Sequence, residues 1–176
     1  MRIVSGKYKG RKLFPPKKLP VRPTTDYAKE SLFNILNNNF HFEQLNVLDC
    51  FSGTGNISYE FLSRGVKAVT SIDRDFHCIS YQKKIKQELA FENFQPIKKD
   101  VFNALNTIRG SYKIIFADPP YNLENITDIP KLVFTNKLLH QEGWLIVEHS
   151  KQTVFIHPNY LETRKYGNVN FSIFKY

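Results

Sequence analysis

The chain has 176 residues, and its 25 lysines and arginines against 16 aspartates and glutamates give a formal net charge of +9. This length suits one domain, and a hydrophobic content of 41% excludes disorder of the whole chain. No apolar run approaches the roughly 18 residues of a membrane span, and no signal peptide is visible. A cytoplasmic protein without membrane contact is therefore expected.

The positive charge is concentrated in residues 1–25, which contain eight basic side chains and no acidic one, whereas the rest of the chain has 17 basic and 16 acidic residues. The basic residues alternate with Tyr8, Leu13 and Phe14. Such a mixture suits a strand or loop that neutralises phosphates while a ring stacks or packs. Charge alone also allows a solvated tail. We predict a basic arm or hairpin over 1–25 and one domain over 26–176.

The pattern changes after Thr24 and Thr25, which are good helix caps, to apolar positions at helical spacing. From there short apolar runs alternate with helical segments, which indicates a parallel sheet covered by helices. The predicted strands are Val47–Cys50, Ala68–Ile72, a weak one around Ile97, Ile114–Ala117 and Leu145–Val147. The predicted helices are Asp26–Asn38, Ile57–Arg64, Phe76–Phe91, Val101–Ile108 and Ile129–Leu139.

Two further apolar segments, Val154–Ile156 and Val169–Phe174, follow without a helix between them. We expect them to pair antiparallel at one edge. The predicted fold is therefore a mostly parallel α/β sheet with an antiparallel edge strand and helices on both faces.

Each of the five parallel strands is predicted to end in an acid. Ligands of open α/β sheets bind beyond the carboxyl ends of the strands, where the strand order reverses. Any one acid could instead cap the following helix, but their joint placement favours a binding site. The five acids are Asp49, Asp73, Asp100, Asp118 and Glu148.

A glycine-rich turn follows the first strand and opens a helix. Gly53 and Gly55 permit a tight turn and close ligand approach, but position 58 is Ser58, which disfavours a dinucleotide pyrophosphate. Asp73 is placed to accept both hydroxyls of a ribose. This acidic rim suits a nucleoside with a cationic attachment such as S-adenosylmethionine, whose product would be S-adenosylhomocysteine. The predicted cofactor residues are Asp49, Phe51, Ser52, Gly53, Thr54 and Gly55 at the methionine end, Asp73 at the ribose, and Asp100 and Val101 at the adenine.

The fourth strand ends in Asp118-Pro119-Pro120-Tyr121. The prolines stiffen the backbone, so the Pro119 carbonyl and the Asp118 carboxylate form two adjacent acceptors for an exocyclic NH2 group of a base. Tyr121 would stack on that base once it has left its helix or loop. A simple Asp-Pro turn is the alternative interpretation. These four residues are the predicted catalytic group.

Several motifs together resemble one family. They are Arg2-Ile3-Val4-Ser5-Gly6, Gly10-Arg11-Lys12-Leu13, Arg22-Pro23-Thr24-Thr25-Asp26, Asp49-Cys50-Phe51-Ser52-Gly53-Thr54-Gly55, Asp118-Pro119-Pro120-Tyr121 and Val147-Glu148-His149-Ser150. With them the chain resembles, over nearly its whole length, the RsmD family of bacterial 16S ribosomal RNA guanine-N2 methyltransferases.

The resemblance implies a Rossmann-like, class I S-adenosylmethionine-dependent enzyme that methylates a guanine N2 amine in small-subunit ribosomal RNA. Neither the guanine nor the state of the substrate, free RNA or assembled particle, follows from it. No metal is expected, because Cys50, Cys78 and the five histidines lack ligand spacing. The implied RNA contacts are Arg2, Lys7, Lys9, Arg11, Lys12, Arg22 and Thr24.

Two other functions compete with this interpretation. A DNA adenine-N6 methyltransferase could hold its amine with the same two acceptors, but those enzymes commonly begin the motif with Asn and carry an added recognition domain. A noncatalytic RNA-binding module would not need the intact Asp118–Tyr121 motif or the intact glycine turn.

Overall fold

The computed structural model describes residues 1–16 and 26–176. Of the predicted RNA contacts, Arg22 and Thr24 lie outside these residues, as does the predicted domain boundary at residue 25. A short 3-10 helix, Phe42–Gln44, precedes the first strand. The helices are α1 (Asp26–Asn37), α2 (Asn56–Ser63), α3 (Phe76–Glu88), α4 (Val101–Thr107) and α5 (Asp128–Thr135). The strands are β1 (Asn46–Cys50), β2 (Ala68–Asp73), β3 (Phe94–Lys98), β4 (Tyr112–Ala117), β5 (Leu139–His149), β6 (Tyr160–Tyr166) and β7 (Val169–Phe174).

The seven strands form one sheet in the order β3-β2-β1-β4-β5-β7-β6. Strands β1 to β5 are parallel, as predicted. The chain builds outwards from β1 to β3 and then returns to place β4 on the other side of β1. The strand order therefore reverses between β1 and β4, and a ligand site is expected at their carboxyl ends.

The prediction for the last two strands is partly wrong. Val154–Ile156 is not a strand; Val154 is 73% and Ile156 97% exposed, and the partner of β7 is instead β6. Strand β7 is antiparallel to both β5 and β6 and lies between them, so the edge strand is β6. All six residues of β7 are buried, because β7 has a strand on either side and its side chains pack into the cores on both faces of the sheet.

Helices cover both faces of the sheet. On one face, Leu32 of α1, Phe61 of α2 and Ile85 of α3 share a core with Phe116 of β4. On the other face, Leu105 of α4 and Val133 of α5 pack with the alternate residue Ile115. In the described part of the chain, no helix has the length and apolarity to cross a membrane.

The N-terminal residues 1–13 form a hairpin that is docked on the α1–α3 face. An antiparallel bridge joins Arg2 to Lys12, and the backbones of Ile3 and Arg11 are hydrogen-bonded at 3.0 Å. Ile3 and Leu13 are buried in the same core as α1, α2 and α3. This N-terminal hairpin is thus held by the body of the protein and is not a free tail.

Candidate active site

The glycine-rich turn between β1 and α2 has a backbone that few residue types could adopt. Gly53 has a φ of 52° and Gly55 a φ of 87°, both in the left-handed region. A Cβ at Gly55 would also come within 2.8 Å of the Tyr59 ring. Phe51 adopts a φ of 58°, a conformation that costs a non-glycine residue about 1–3 kcal/mol. Such strain in a turn at the switch point marks a candidate binding site.

Hydrogen bonds from β2 and α3 hold this turn in place. The Gly53 N–H donates to Oδ2 of Asp73 at 2.8 Å, and the Asp75 N–H donates to Oδ1 at 2.8 Å. The buried side-chain amide of Gln82 donates to the Gly53 carbonyl at 2.7 Å and to the Ser52 hydroxyl at 2.9 Å. The structure therefore brings the predicted ribose acceptor Asp73 directly against the predicted cofactor turn.

Asp49 lies deeper than the rest of the predicted cofactor residues. Its side chain is buried beneath α2 and accepts a hydrogen bond of 2.5 Å from the Ser58 hydroxyl. Burial raises the pKa of Asp49 to about 7, although the Ser58 hydrogen bonds oppose this increase. The structure thus places Asp49 below the turn, where it supports the start of α2.

Asp100, another of the five predicted acids, caps a helix. Asp100 accepts a hydrogen bond of 3.0 Å from the Asn103 N–H and so caps α4, and its neighbour Val101 is buried in the core. Asp75 caps α3 in the same way through the Cys78 N–H at 2.9 Å. Asp100 stays half-buried at the carboxyl end of the sheet, beside β3.

The predicted catalytic group follows β4 and lies next to the glycine turn. The Asp118 N–H donates to the carbonyl of Cys50, the last residue of β1, at 3.2 Å. Pro119 is buried and Pro120 exposed, and the Leu123 N–H closes a turn onto the Pro120 carbonyl at 2.9 Å. Tyr121 is 37% exposed and donates its hydroxyl to Oε1 of Glu148 at 3.2 Å. The acid ending β5 thus orients the predicted stacking ring.

Three of these acids belong to one face of the sheet. In β4 the residues Ile114 and Phe116 face the α1–α3 core, and successive side chains alternate, so Asp118 continues on that face. By the same alternation, Asp49 lies on this face below α2. Glu148 also lies on it, because Ile146, two positions earlier, belongs to the α1–α3 core. The site therefore opens toward α1 and the N-terminal hairpin, away from α4 and α5.

The basic residues of the N-terminal hairpin fall into two groups. Arg2 lies 3.3 Å from a carboxylate oxygen of Asp26, and Arg11 lies 2.5 Å from Glu88. Lys7, Lys9 and Lys12 are exposed, and the Lys7 ammonium lies 5.3 Å from the centre of the Tyr8 ring.

A buried ionic cluster anchors the hairpin and was not predicted from the sequence. Glu60 of α2, which is fully buried, accepts the backbone N–H groups of Val4 at 2.7 Å and Ser5 at 3.0 Å. Arg64 donates to the same carboxylate at 2.9 Å. Buried Lys29 of α1 donates to Oδ1 of Asn56, the first residue of α2, at 2.9 Å. The hairpin is consequently attached to α2, the helix that follows the cofactor turn.

Among the described residues, no group of three or more histidines, cysteines, aspartates or glutamates is arranged to hold a metal ion. The His149 ring, which follows Glu148, is buried and bonded to the Ser172 hydroxyl at 2.8 Å. Burial lowers the pKa of His149.

The fold and the turn define this chain as a Rossmann-like protein of the S-adenosylmethionine-dependent methyltransferase class. A solved structure called putative methyltransferase yhhF from Escherichia coli has a TM-score of 0.86 with 26% identity, covering 99% of this chain and 96% of that one. The chain belongs to the family described as conserved hypothetical protein 95, whose model matches residues 1–175.

Curated relatives confirm the resemblance to the RsmD family. Putative rRNA methyltransferase YlbH of Bacillus subtilis is 32% identical over 99% of this chain and 98% of its own length. Ribosomal RNA small subunit methyltransferase D of Escherichia coli is 32% identical over 84% of this chain and 71% of its own length.

Proposed function

We propose that this protein transfers a methyl group from S-adenosylmethionine to the exocyclic N2 amine of a guanine in small-subunit ribosomal RNA. The observation that carries the proposal is the hydrogen bond between Asp118 and Cys50, which puts the Asp-Pro-Pro-Tyr motif alongside the glycine turn. The names of the relatives support ribosomal RNA as the substrate class. Such a substrate is found in the cytoplasm.

The residues around the turn fit S-adenosylmethionine. The half-buried Asp73 carboxylate has an acceptor capacity beyond its bonds to Gly53 and Asp75, which suits ribose hydroxyls. Gly53 and Thr54 present backbone without bulky side chains at the methionine end, with Asp49 beneath them. Asp100 and Val101 would border the adenine. When bound, the cofactor supplies an electrophilic methyl group on a cationic sulfur, and the acidic rim complements that charge.

The Asp118 carboxylate and the Pro119 carbonyl would each accept one N–H of the guanine amine. Accepting both hydrogen bonds directs the nitrogen lone pair toward the methyl group, and the carboxylate stabilises positive charge that develops on nitrogen. Tyr121, held through Glu148, would stack on the guanine. The proton released by the amine after transfer can pass to solvent, since Asp118 is only half-buried.

The exposed lysines of the N-terminal hairpin would contact phosphates of the RNA. Lys7, Lys9 and Lys12 are exposed to solvent, so their ammonium groups can meet phosphates of an RNA strand. Arg2 and Arg11 already form ion pairs and would add less, because binding a phosphate must compete with Asp26 and Glu88.

Identification of the methylated nucleoside tests the proposal. The protein is incubated with labelled S-adenosylmethionine and small-subunit ribosomal RNA, free and within assembled particles, and the RNA is digested to nucleosides. We expect N2-methylguanosine. N6-methyladenosine would show that the target base is adenine and not guanine. Cofactor binding without transfer to either substrate would favour a noncatalytic module.

A further inference from the structure

Tyr27, the second residue of α1, is exposed to solvent although its ring has an aromatic neighbour. It is 65% exposed, and its ring packs edge-to-face against Tyr166 at the end of β6 with centroids 6.4 Å apart. Most of the Tyr27 side chain is therefore available to a partner.

A series of rings supports Tyr27 from below. Tyr166 contacts Phe171 of β7 with centroids 6.0 Å apart, and Phe171 contacts Phe116 of β4 at 6.2 Å. Phe171 and Phe116 are buried in the core. Because this support restrains Tyr27 before any partner arrives, stacking on its ring would cost little conformational entropy.

The strand register puts Tyr27 at the same end of the sheet as the candidate active site. Glu148, which holds Tyr121, is paired with Phe171, and Phe171 is paired with Arg164 of β6. Strand β6 runs in the direction of β5, since both are antiparallel to β7. Tyr166 is two residues beyond Arg164 toward the carboxyl rim. Two strand spacings separate β5 from β6, a distance of about 10 Å.

We propose that Tyr27 is a stacking platform for an unpaired nucleobase that flanks the target nucleotide. The inference rests on the proposed function, which requires the target guanine to leave its helix or loop and so leaves neighbouring bases unstacked. An RNA partner is favoured because the protein carries a net charge of +9 and because exposed Lys165 and half-exposed Arg2 lie near this rim. Stacking on an aromatic ring accepts any base, so Tyr27 would add affinity more than sequence specificity.

Steady-state kinetics with small-subunit RNA provide the first test. Tyr27→Leu should raise KM for RNA about tenfold, the effect of losing one stacked base, with kcat and cofactor affinity retained. Tyr27→Trp should restore the wild-type KM. Tyr176→Leu is the matched control, because Tyr176 is 50% exposed and packs edge-to-face on Phe134 on the opposite face. An unchanged KM in Tyr27→Leu, or equal increases in the Leu and Trp variants, would overturn the proposal.

A binding experiment separates this inference from the proposed reaction. Trp144 is the single tryptophan of the chain, so Tyr27→Trp combined with Trp144→Phe leaves one tryptophan, at the rim, whose emission can be excited selectively. Stacking of a base should quench its emission in the absence of the cofactor. Binding of RNA without quenching would refute the platform, whereas quenching by an RNA that is never methylated would refute only the proposed function.

Discussion

Gln82 of α3 donates a hydrogen bond of 2.7 Å from its side-chain amide to the carbonyl oxygen of Gly53, at the centre of the glycine turn. The Oε1 atom of the same side chain accepts a bond of 2.5 Å from the Ser71 hydroxyl, and the Gly53 N–H donates to Asp73 at 2.8 Å. Gln82 thereby fixes one side of Gly53 while Asp73 fixes the other. A turn that is ordered before the cofactor arrives has less entropy to lose on binding.

Replacing Gln82 should weaken cofactor binding indirectly, through the glycine turn, because Gln82 itself is not among the predicted cofactor contacts. We expect Gln82→Leu to lower the affinity for S-adenosylmethionine about tenfold, or about 1.4 kcal/mol, by calorimetry. The variant should also lose about 1–3 kcal/mol of stability, because the buried Ser71 hydroxyl is left without its acceptor. Adding Ser71→Ala should recover stability but not affinity, which would separate positioning of the turn from a general loss of structure.

The docking of the N-terminal hairpin depends on Glu60. In Glu60→Gln the carboxylate no longer accepts from both Val4 and Ser5, and Arg64 and Lys29 lose a buried counter-charge. Breaking a buried ion pair costs about 3–5 kcal/mol, so hydrogen exchange at Val4 and Ser5 should accelerate strongly. The exposed Glu43 supplies the control Glu43→Gln. Unchanged protection of the hairpin amides would contradict this anchoring role.

The sequence allowed the parallel part of the sheet to be predicted because each strand there is a short apolar run between helical segments. It failed at β6, whose residues Glu162, Arg164 and Lys165 reflect an edge strand that is exposed to solvent. Val154–Ile156 has a strong strand composition, yet it only crosses the α5 face, where Phe155 packs on Phe174. Local composition does not distinguish an extended crossover from a paired strand, because pairing depends on tertiary contacts.

The candidate site was also only partly predictable. Asp118–Tyr121 and the glycine turn are contiguous motifs, so their positions could be read from the chain. Gln82 is hydrogen-bonded to a residue 29 positions away, and Glu60 to one 55 positions away. Neither therefore gives a local sequence pattern. The contacts of Asn56, Ser58 and Tyr59 with Lys29, Asp49 and the aromatic core likewise give no local pattern.

Exposed lysines of the hairpin can be tested without removing it. Deleting residues 1–20 would also remove Ile3 and Leu13 from the core, so it would disturb packing as well as charge. Lys9→Ala with Lys12→Ala should instead lower RNA affinity and reduce the log-log salt slope by about 0.7–0.9 for each lost phosphate contact. Lys131→Ala with Lys137→Ala, on the α5 side, is the charge-matched control. Equal salt slopes in both double variants would indicate that the hairpin lysines contribute to solubility and do not contact RNA phosphates.

The buried carboxyl of Asp49 should make stability depend on pH. Its pKa is raised from 3.8 to about 7, so the folded state binds the proton more tightly than the unfolded state. This contribution is fully present below pH 3.8 and is lost as the pH rises toward about 7. Asp49→Asn removes the titration and keeps an acceptor for Ser58. Denaturation at pH 5 and pH 8 should therefore show a variant that gains stability relative to wild type at the higher pH; a constant difference would contradict the buried-acid assignment.

Variants of Asp118 should distinguish methyl transfer from the binding of cofactor and RNA. The Asp118 carboxylate is expected to stabilise positive charge on the attacking amine, a demand that is absent from the ground state. Asp118→Ala should therefore leave the fold, cofactor affinity and RNA affinity nearly unchanged while slowing methyl transfer a hundredfold or more, or about 3 kcal/mol of transition-state stabilisation. Asp118→Asn should retain more activity than the alanine variant, because its amide carbonyl still accepts one hydrogen bond from the NH2 group.

Single-turnover rates with labelled cofactor measure this effect, since they exclude product release from the comparison. Tyr121→Phe is an informative companion: it keeps the stacking ring but removes the hydroxyl that bonds Glu148, so it should lower the rate less than Asp118→Ala does. The order of rates expected from the geometry is wild type, Tyr121→Phe, Asp118→Asn and Asp118→Ala. If Asp118→Ala transferred methyl groups at the wild-type rate, the amine would have to be held elsewhere, and the Asp-Pro-Pro-Tyr motif would be a structural turn.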